Sequence, residues 1–386
     1  MQNAECRMQN GKVMRVLFTC GGTAGHINPA VALARLFQAR NPDCQVRFVG
    51  AEGGMECRLV PKEGYELRTV QVSTIHRSLK WKDLKHNVGT VVHMPRSRHQ
   101  AAAILREFQP DLVVGTGGYA SYPVVREAAR RGIPTAVHES NAVPGLTTKM
   151  LSKVVDRVMV GFEDSRSHYP HPEKVAVTGT PVRPEFFTRT RKEARRELGI
   201  ADDRPLVLTY WGSLGADVMN GYILDFIGRE LADGAPFHHI HGAGRNYAAM
   251  TAGLEQRGIS LEKGVEVREY IYDMPLVMAA ADLVLCRAGA STIAELSAIA
   301  KPSILVPSPN VTNNHQEKNA RVLERHGAAV VLLEPDCSGA VLYDRTKALL
   351  TDPAALGDMS RHLAELSVGD AAEEIYRTLM ELEIRN

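Results

Sequence analysis

Short apolar runs recur along this chain, and most are followed by longer stretches with apolar residues every three or four positions. In the first half the runs are 16–19, 46–49, 112–114, 135–137, 157–160 and 174–177. The stretch 29–40 shows the intervening pattern, with Ala30, Leu33, Ala34, Leu36 and Phe37 at helical spacing. Brief, wholly apolar strands alternating with amphipathic helices predict a parallel, doubly wound sheet covered on both faces. The pattern restarts at 206–210 and continues through 237–241, 265–268, 283–286, 303–306 and 329–332. The expected fold class is therefore α/β, with two Rossmann-like domains facing across a cleft. The linker candidate is Thr180-Pro181-Val182-Arg183-Pro184, which puts the domains at 14–182 and 183–370. The amphipathic segment 371–382 suits packing on either domain, and residues 371–386 can return to the first. Residues 1–13 are polar and unpatterned up to the first strand and are expected to be a disordered leader.

Composition narrows the class. The 386 residues are 44% hydrophobic and 23% charged, ordinary values for a soluble α/β protein. Forty-six basic against forty-four acidic residues leave a formal charge of +2, which does not favour a nucleic-acid partner. No apolar run approaches 18 residues, so no transmembrane helix is expected, and the run 13–18, short and leading straight into a turn, is not expected to be part of a signal peptide. Six scattered cysteines without a C-x-x-C pair argue against a zinc site or disulfide framework and fit a reducing cytosol.

Three glycine-rich turns each follow an apolar run and open a helical pattern: Cys20-Gly21-Gly22-Thr23-Ala24-Gly25-His26, Gly115-Thr116-Gly117-Gly118-Tyr119, and Gly212-Ser213-Leu214-Gly215-Ala216. Bare backbone N–H groups at a helix N-terminus receive anions. Turns of this kind in both halves point to phosphorylated ligands. The first lacks the G-x-G-x-x-G spacing of a dinucleotide site, and Glu52, the nearest acid to the second strand's end, follows Gly50-Ala51 in a loop. His26 reads either as a turn cap or as a base beside a phosphate-bearing ligand. His138-Glu139-Ser140-Asn141 follows the run 135–137 as a polar turn or a site. His238, His239 and His241 raise the thought of a metal, but no partnering carboxylate is near in sequence. The densest constellation runs from Asp282 through Cys286-Arg287-Ala288-Gly289-Ala290-Ser291-Thr292-Ile293-Ala294-Glu295. Glu295 suits two ribose hydroxyls held at a helix N-terminus. Equally, Thr292 and Glu295 have the spacing of a capping box. Downstream, the amides and imidazole of 313–319 can read sugar hydroxyls.

These motifs together, in order and spacing from Met14 to about Gly327, resemble the lipid II-forming glycosyltransferases of the bacterial cell wall, the MurG family within glycosyltransferase family 28. The resemblance implies the two-domain glycosyltransferase B fold. It implies transfer of N-acetylglucosamine from UDP-GlcNAc to undecaprenyl-pyrophosphoryl-MurNAc-pentapeptide, lipid I. It also implies roles. Thr23, Ala24, Gly25 and Asn141 would line the site between donor sugar and acceptor pyrophosphate. Arg183 and Ser213 would contact the UDP phosphates, and Ile271 would lie near uracil through its backbone. Ala290, Ser291, Thr292, Ile293, Ala294 and Glu295 would hold phosphate and ribose, and His315 and Gln316 would read the GlcNAc hydroxyls. His26 is the candidate catalytic base. No D-x-D metal motif occurs, and no cofactor or metal is implied. Ala24 stands where many relatives have glycine and would stiffen the acceptor turn. Trp211 likewise replaces a glycine and would narrow the donor cleft.

The acceptor is membrane-borne. Between residues 75 and 98, Arg77, Lys80, Lys82, Lys85, Arg96 and Arg98 interleave with Leu79, Trp81, Leu84 and Val88. Basic residues beside an aromatic anchor suit an anionic membrane surface; the same pattern also fits an ordinary solvated helix face. The expected location is peripheral, on the cytoplasmic face of the cell membrane, with cell-wall synthesis and division proteins as further partners. A glycolipid synthase with a diacylglycerol acceptor and a catalytically silent sugar-nucleotide-binding subunit are the competing readings.

Overall fold

The computed structural model describes residues 13–72, 81–212, 216–261 and 264–382, without the side chains of Ala24 and 81–94. The leader 1–12, Ser213 and residues 73–80 of the basic segment lie outside the described residues. Contacts divide the chain into two compact units, one running to Val182 and resuming at Val368, the other spanning Arg183–Ser367.

The first unit holds seven parallel strands: β1 (Arg15–Thr19), β2 (Gln45–Ala51), β3 (Glu66–Val70), β4 (Leu112–Gly115), β5 (Thr135–Glu139), β6 (Arg157–Val160) and β7 (Val175–Val177), in the order β3-β2-β1-β4-β5-β6-β7. Its helices are α1 (Ala24–Arg40), α2 (Glu56–Lys62), α3 (Trp81–Phe108), α4 (Ser121–Arg130) and α5 (Leu146–Leu151). Alternate side chains of one strand feed two cores. Val16 and Phe18 pack with Ile27, Leu33 and Phe37 of α1. Leu17, between them, packs with Leu105 of α3 and Val124 of α4. All three strand residues are fully buried, which is why the strand reads as one apolar run. Strand β3 has no such run. It is an edge strand, Glu-Leu-Arg-Thr-Val, and its charged residues join surface ion pairs from Arg47 to Glu66 and from Arg68 to Glu107. Helix α1 starts at Ala24 rather than at Pro29, so the proline sits inside it and the Gly25 carbonyl lacks its usual i+4 donor.

The second unit holds β8 (Leu206–Tyr210), β9 (His238–Gly242), β10 (Val265–Arg268), β11 (Leu283–Cys286), β12 (Ser303–Leu305) and β13 (Val330–Val331), all parallel, in the order β10-β9-β8-β11-β12-β13. Its helices are α6 (Arg191–Glu197), α7 (Asp217–Ala232), α8 (Tyr247–Gln256), α9 (Met274–Ala280), α10 (Ala290–Ala298), α11 (His315–Arg325), α12 (Gly339–Leu350) and α13 (Pro353–Leu366). The last helix, α14 (Ala371–Met380), belongs to the first unit. Its Ile375, Tyr376 and Leu379 enter the core around α1, with the Tyr376 ring edge-on to Phe37 at 4.8 Å between centroids.

Strand order fixes where a ligand can sit. In doubly wound sheets the crevice opens at the carboxyl ends, where neighbouring strands lead off in opposite directions. That point lies between β1 and β4 in the first sheet and between β8 and β11 in the second. The glycine turns follow β1, β4 and β8, and the Gly289 turn follows β11, so each flanks a switch point.

Candidate active site

In the first unit the turns after β1 and β4 interlock. Gly117 and Gly118 have φ of +112° and +86°, which side-chain-bearing residues rarely adopt. A Cβ on Gly118 would stand 2.3 Å from the Gly21 carbonyl oxygen, and one on Gly117 would stand 2.6 Å from the His26 ring. Thr116 Oγ1 donates to the His26 carbonyl at 2.7 Å, and Ser121 Oγ donates to the Thr19 carbonyl at 3.0 Å. Gly118→Ala is therefore expected to lower stability by about 1–3 kcal/mol and to displace the His26 turn, lowering activity. Gly132→Ala is the control, because Gly132 has φ +73° but open space around it. Thermal melts and turnover of the two variants check this; equal losses in both would show that backbone strain alone, not the interlock, matters.

His26 lies in the first turn of α1. Its Nδ1 is 2.8 Å from the Gly21 carbonyl oxygen and so carries the hydrogen, leaving the lone pair on Nε2. Thr23 is the N-cap of α1 but makes no side-chain capping bond, and Gly25 stands beside it in the first turn. Asn141 is aimed by Glu139, whose carboxylate accepts from the Asn141 amide nitrogen at 2.9 Å and from the Gly145 backbone N–H at 3.0 Å.

The four-residue motif 138–141 divides differently from its sequence reading. Strand β5 continues through Glu139, and His138 and Glu139 are buried. His138 Nε2 donates to the Gly179 carbonyl at 2.8 Å, and burial holds its pKa below the usual histidine range, so it is a neutral structural residue. The acid near the end of β2 is also different. Glu52 is exposed, whereas Glu56 at the start of α2 is fully buried and accepts from the backbone N–H groups of Ala51 and Gly22. Sequence reasoning missed Glu56. Its signal was the cluster Gly50, Gly53 and Gly54 just before it.

In the second unit, α10 begins at Ala290 with Gly289 as its N-cap, and no side chain caps it. Thr292 is thus inside the helix, and the Thr292–Glu295 capping box does not form. Ala290, Ser291 and Thr292 make the first turn, Ile293 points into the core, and Ala294 and Glu295 follow. Burial raises the Glu295 carboxyl to about 7, only partly offset by the positive charge of Arg183. Arg183 itself is exposed, with its guanidinium 5.3 Å from the centre of the Phe186 ring. Burial first, then Cys286 and Glu295, push the Tyr210 phenol at the end of β8 well up. Ile271 is buried against Gly242, where an added Cβ would come within 3.1 Å of it. Gln316 accepts from the Ser308 N–H at 2.9 Å, and His315 Nδ1 donates to the Thr312 carbonyl at 2.8 Å, so α11 is tied to the loop after β12.

Two further readings change. Trp211 is buried in the core of the second unit with the Arg287 guanidinium over its ring, so the indole packs inward instead of narrowing a cleft. His239 and His241 do have a carboxylate nearby, Glu230 on α7. A buried chain runs from Glu230 to His239 at 2.8 Å, from His239 to Thr209 at 2.9 Å, from Thr209 to His241 at 2.7 Å and from His241 to Asn220 at 3.2 Å. These imidazoles are spent on internal hydrogen bonds. Among the described residues no group of three or more His, Cys, Asp or Glu is arranged to hold a metal ion.

Two Rossmann-like sheets with glycine turns at both switch points define a glycosyltransferase B-type protein. Residues 16–160 match the glycosyltransferase family 28 N-terminal domain, and residues 206–375 match the family's C-terminal domain. The UDP-N-acetylglucosamine--N-acetylmuramyl-(pentapeptide) pyrophosphoryl-undecaprenol N-acetylglucosamine transferase of Acetivibrio thermocellus is 42% identical over 369 residues, covering 96% of this chain and 98% of the relative. The protein of the same name from Thermoanaerobacter sp. is also 42% identical, covering 95% of this chain and 99% of its own. The crystal structure of Acinetobacter baumannii MurG superposes with a TM-score of 0.76 at 25% identity, covering 96% of this chain and all of that one. The chain belongs to glycosyltransferase family 28.

Proposed function

We propose that this protein transfers N-acetylglucosamine from UDP-GlcNAc to the C4 hydroxyl of MurNAc-pentapeptide in lipid I, giving lipid II for peptidoglycan synthesis. The observation that carries this reading is the near full-length likeness to relatives bearing that activity in their name. The site geometry supports it. An α-linked donor and a β-1,4 product require inversion, hence one direct displacement. The acceptor O4 forms the bond to C1 of GlcNAc, the bond from C1 to the UDP oxygen breaks, and His26 Nε2 takes the hydroxyl proton. The transition state resembles an oxocarbenium ion while charge builds on UDP. Arg183, Ser213 and the N-terminus of α10 stabilise that charge. Thr23, Ala24, Gly25 and Asn141 line the site between donor sugar and acceptor pyrophosphate, Glu295 takes the ribose hydroxyls, the Ile271 backbone meets uracil, and His315 and Gln316 read the sugar. Incubation with labelled UDP-GlcNAc and a short-chain lipid I analogue tests the assignment. Labelled disaccharide product is expected. Transfer to diacylglycerol instead would support the glycolipid reading, and UDP-GlcNAc binding without transfer would support a silent subunit.

The same reading places the protein on the cytoplasmic face of the membrane as a peripheral enzyme, among cell-wall synthesis and division proteins. No described helix is long and apolar enough to cross a bilayer. Support for surface binding comes from the α3–α4–α5 side of the first unit, where α4 packs on both neighbours. Leu146, Met150 and Val154 are exposed at and just after α5, next to the exposed Lys149 and Lys153. Together with the basic segment 75–98, they would attract an anionic surface at about 1 kcal/mol per basic residue, screened by salt. Co-sedimentation with phosphatidylglycerol or cardiolipin vesicles is expected to fall with salt and to weaken in a Lys80/Lys82/Lys85→Glu variant. Equal binding of variant and wild type would leave the segment as a solvated helix face.

A further inference from the structure

Glu56 poses a question of energetics. It is fully buried, and among the described residues no cation pairs with it. A carboxylate removed from water without a counter-charge is costly unless its surroundings use it. Space has been made for it: a Cβ on Gly21, Gly50 or Gly54 would stand 2.5, 2.3 or 2.5 Å from its side chain. Two backbone N–H groups satisfy it, Ala51 at 2.7 Å to Oε1 and Gly22 at 3.1 Å to Oε2. Among the described residues, the Cys20 thiol is a titratable group that faces it. Burial first, and the Glu56 charge second, push that thiol far up, so it stays neutral.

The Gly22 N–H has a second significance. It belongs to the same peptide unit as the Gly21 carbonyl, and that carbonyl accepts from His26 Nδ1. The connection therefore runs from the Glu56 carboxylate to the N–H of one peptide, across that peptide to its carbonyl, and on to the imidazole. Gly118 packs against the Gly21 carbonyl from another side and holds the unit in place. Hydrogen bonds in such a chain polarise one another in a low-dielectric interior. A negative charge at the N–H end draws that hydrogen toward itself and makes the carbonyl at the other end a better acceptor.

We propose that Glu56 is a positioning residue for His26, acting through the Gly21–Gly22 peptide as a relayed carboxylate–histidine pair. The relay fixes neutral His26 as the Nδ1–H tautomer, so that the Nε2 lone pair is available. It also stabilises the imidazolium when Nε2 takes a proton, because the Nδ1–H then donates to a polarised carbonyl. The proton taken by Nε2 stays on the imidazole, and no proton passes through the peptide. The catalytic consequence rests on His26 being the base. The tautomer does not, so the two can fail separately.

Long-range ¹H–¹⁵N spectroscopy of the histidines in the full chain reads the tautomer, with the His26 signals identified by their loss in His26→Ala. In the wild type, neutral His26 is expected as the Nδ1–H form. Glu56→Gln keeps the side chain's shape and one acceptor but removes the charge. In it the population of the Nδ1–H tautomer should fall, because the carbonyl that accepts from Nδ1 is no longer polarised by a charge. Turnover should fall with it, with kcat lowered and KM for UDP-GlcNAc unchanged. An Nε2–H tautomer in the wild type overturns the proposal without any variant, so poor folding of Glu56→Gln cannot shelter it. So does an unchanged tautomer population in a folded Glu56→Gln protein. Near-normal turnover in His26→Ala would instead remove His26 as the base while leaving the spectroscopic result standing.

Discussion

His26→Ala is expected to lower turnover by about 10²–10⁴-fold, the usual cost of losing a general base, while UDP-GlcNAc binds as before. The two halves of this expectation come from different parts of the chain. His26 belongs to the first unit, where its Nδ1 is committed to the Gly21 carbonyl and only Nε2 remains to accept a proton. The residues assigned to the nucleotide, from Arg183 to Gln316, all belong to the second unit, which has its own sheet and core. Removing an imidazole from the first unit leaves those contacts intact, so loss should appear in kcat rather than in donor affinity. The substitution also removes little packing. His26 is partly exposed, and its principal bond is to one carbonyl, so the melting temperature should change little. Steady-state turnover with saturating lipid I analogue, calorimetry with UDP-GlcNAc and a thermal melt together decide the matter. Turnover near wild type would dismiss His26 as the base, and a parallel collapse of stability would reduce it to a turn residue.

Much of this architecture could be read from the chain because parallel strands buried on both faces leave a local mark. Leu17 faces one core and its neighbours Val16 and Phe18 the other, so a run of apolar residues was enough to locate β1. Strand β3 left no such mark: it is held by pairing with β2 and by surface ion pairs. The glycine turns were visible because a positive φ demands a residue without a side chain. Their consequence, that turns about 95 residues apart interlock at one switch point, depends on strand order and is not local. The same distinction separates Glu295 from Glu56. Glu295 was noticed because it lies one turn into a helix that follows a strand. Its competing role as a cap failed only because the helix starts two residues before Thr292. The partners of Glu56 are backbone groups of Ala51 and Gly22, and no side-chain pattern records a bond to a distant backbone amide. His138 shows the reverse error: a polar residue after an apolar run looked like part of a site, yet the strand runs on through it and seals it against Gly179.

Glu295→Gln is expected to weaken UDP-GlcNAc binding by about 10–100-fold at pH 8, with the difference closing toward pH 5.5. A charge-assisted bond from a ribose hydroxyl contributes roughly 1.5–3 kcal/mol, which sets the scale. The pH dependence follows from the carboxyl's environment. Burial raises it from the ordinary 4.5 to about 7, despite Arg183 nearby. Ribose hydroxyls that donate to the ionised form will lower that pKa on binding, so the wild type releases a proton when the nucleotide binds near neutrality. Affinity then rises with pH through the window ending near 7 and levels off above it. UDP-GlcNAc carries no group of its own that titrates there, and the Gln variant should show neither the slope nor the proton release. Stability moves in the opposite sense. Because the folded-state pKa is raised, the free protein binds more protons than the unfolded chain between about 4.5 and 7. The contribution of Glu295 is fully present below 4.5 and is lost as pH rises through 7. Without ligand, the Gln variant should therefore melt at a higher temperature than the wild type at pH 8, and at a similar one at pH 4.5. Calorimetry in buffers of different ionisation enthalpy measures the proton release directly. A flat pH dependence in the wild type, or equal affinities at pH 8, would separate Glu295 from the ribose and leave its raised pKa as a consequence of burial alone.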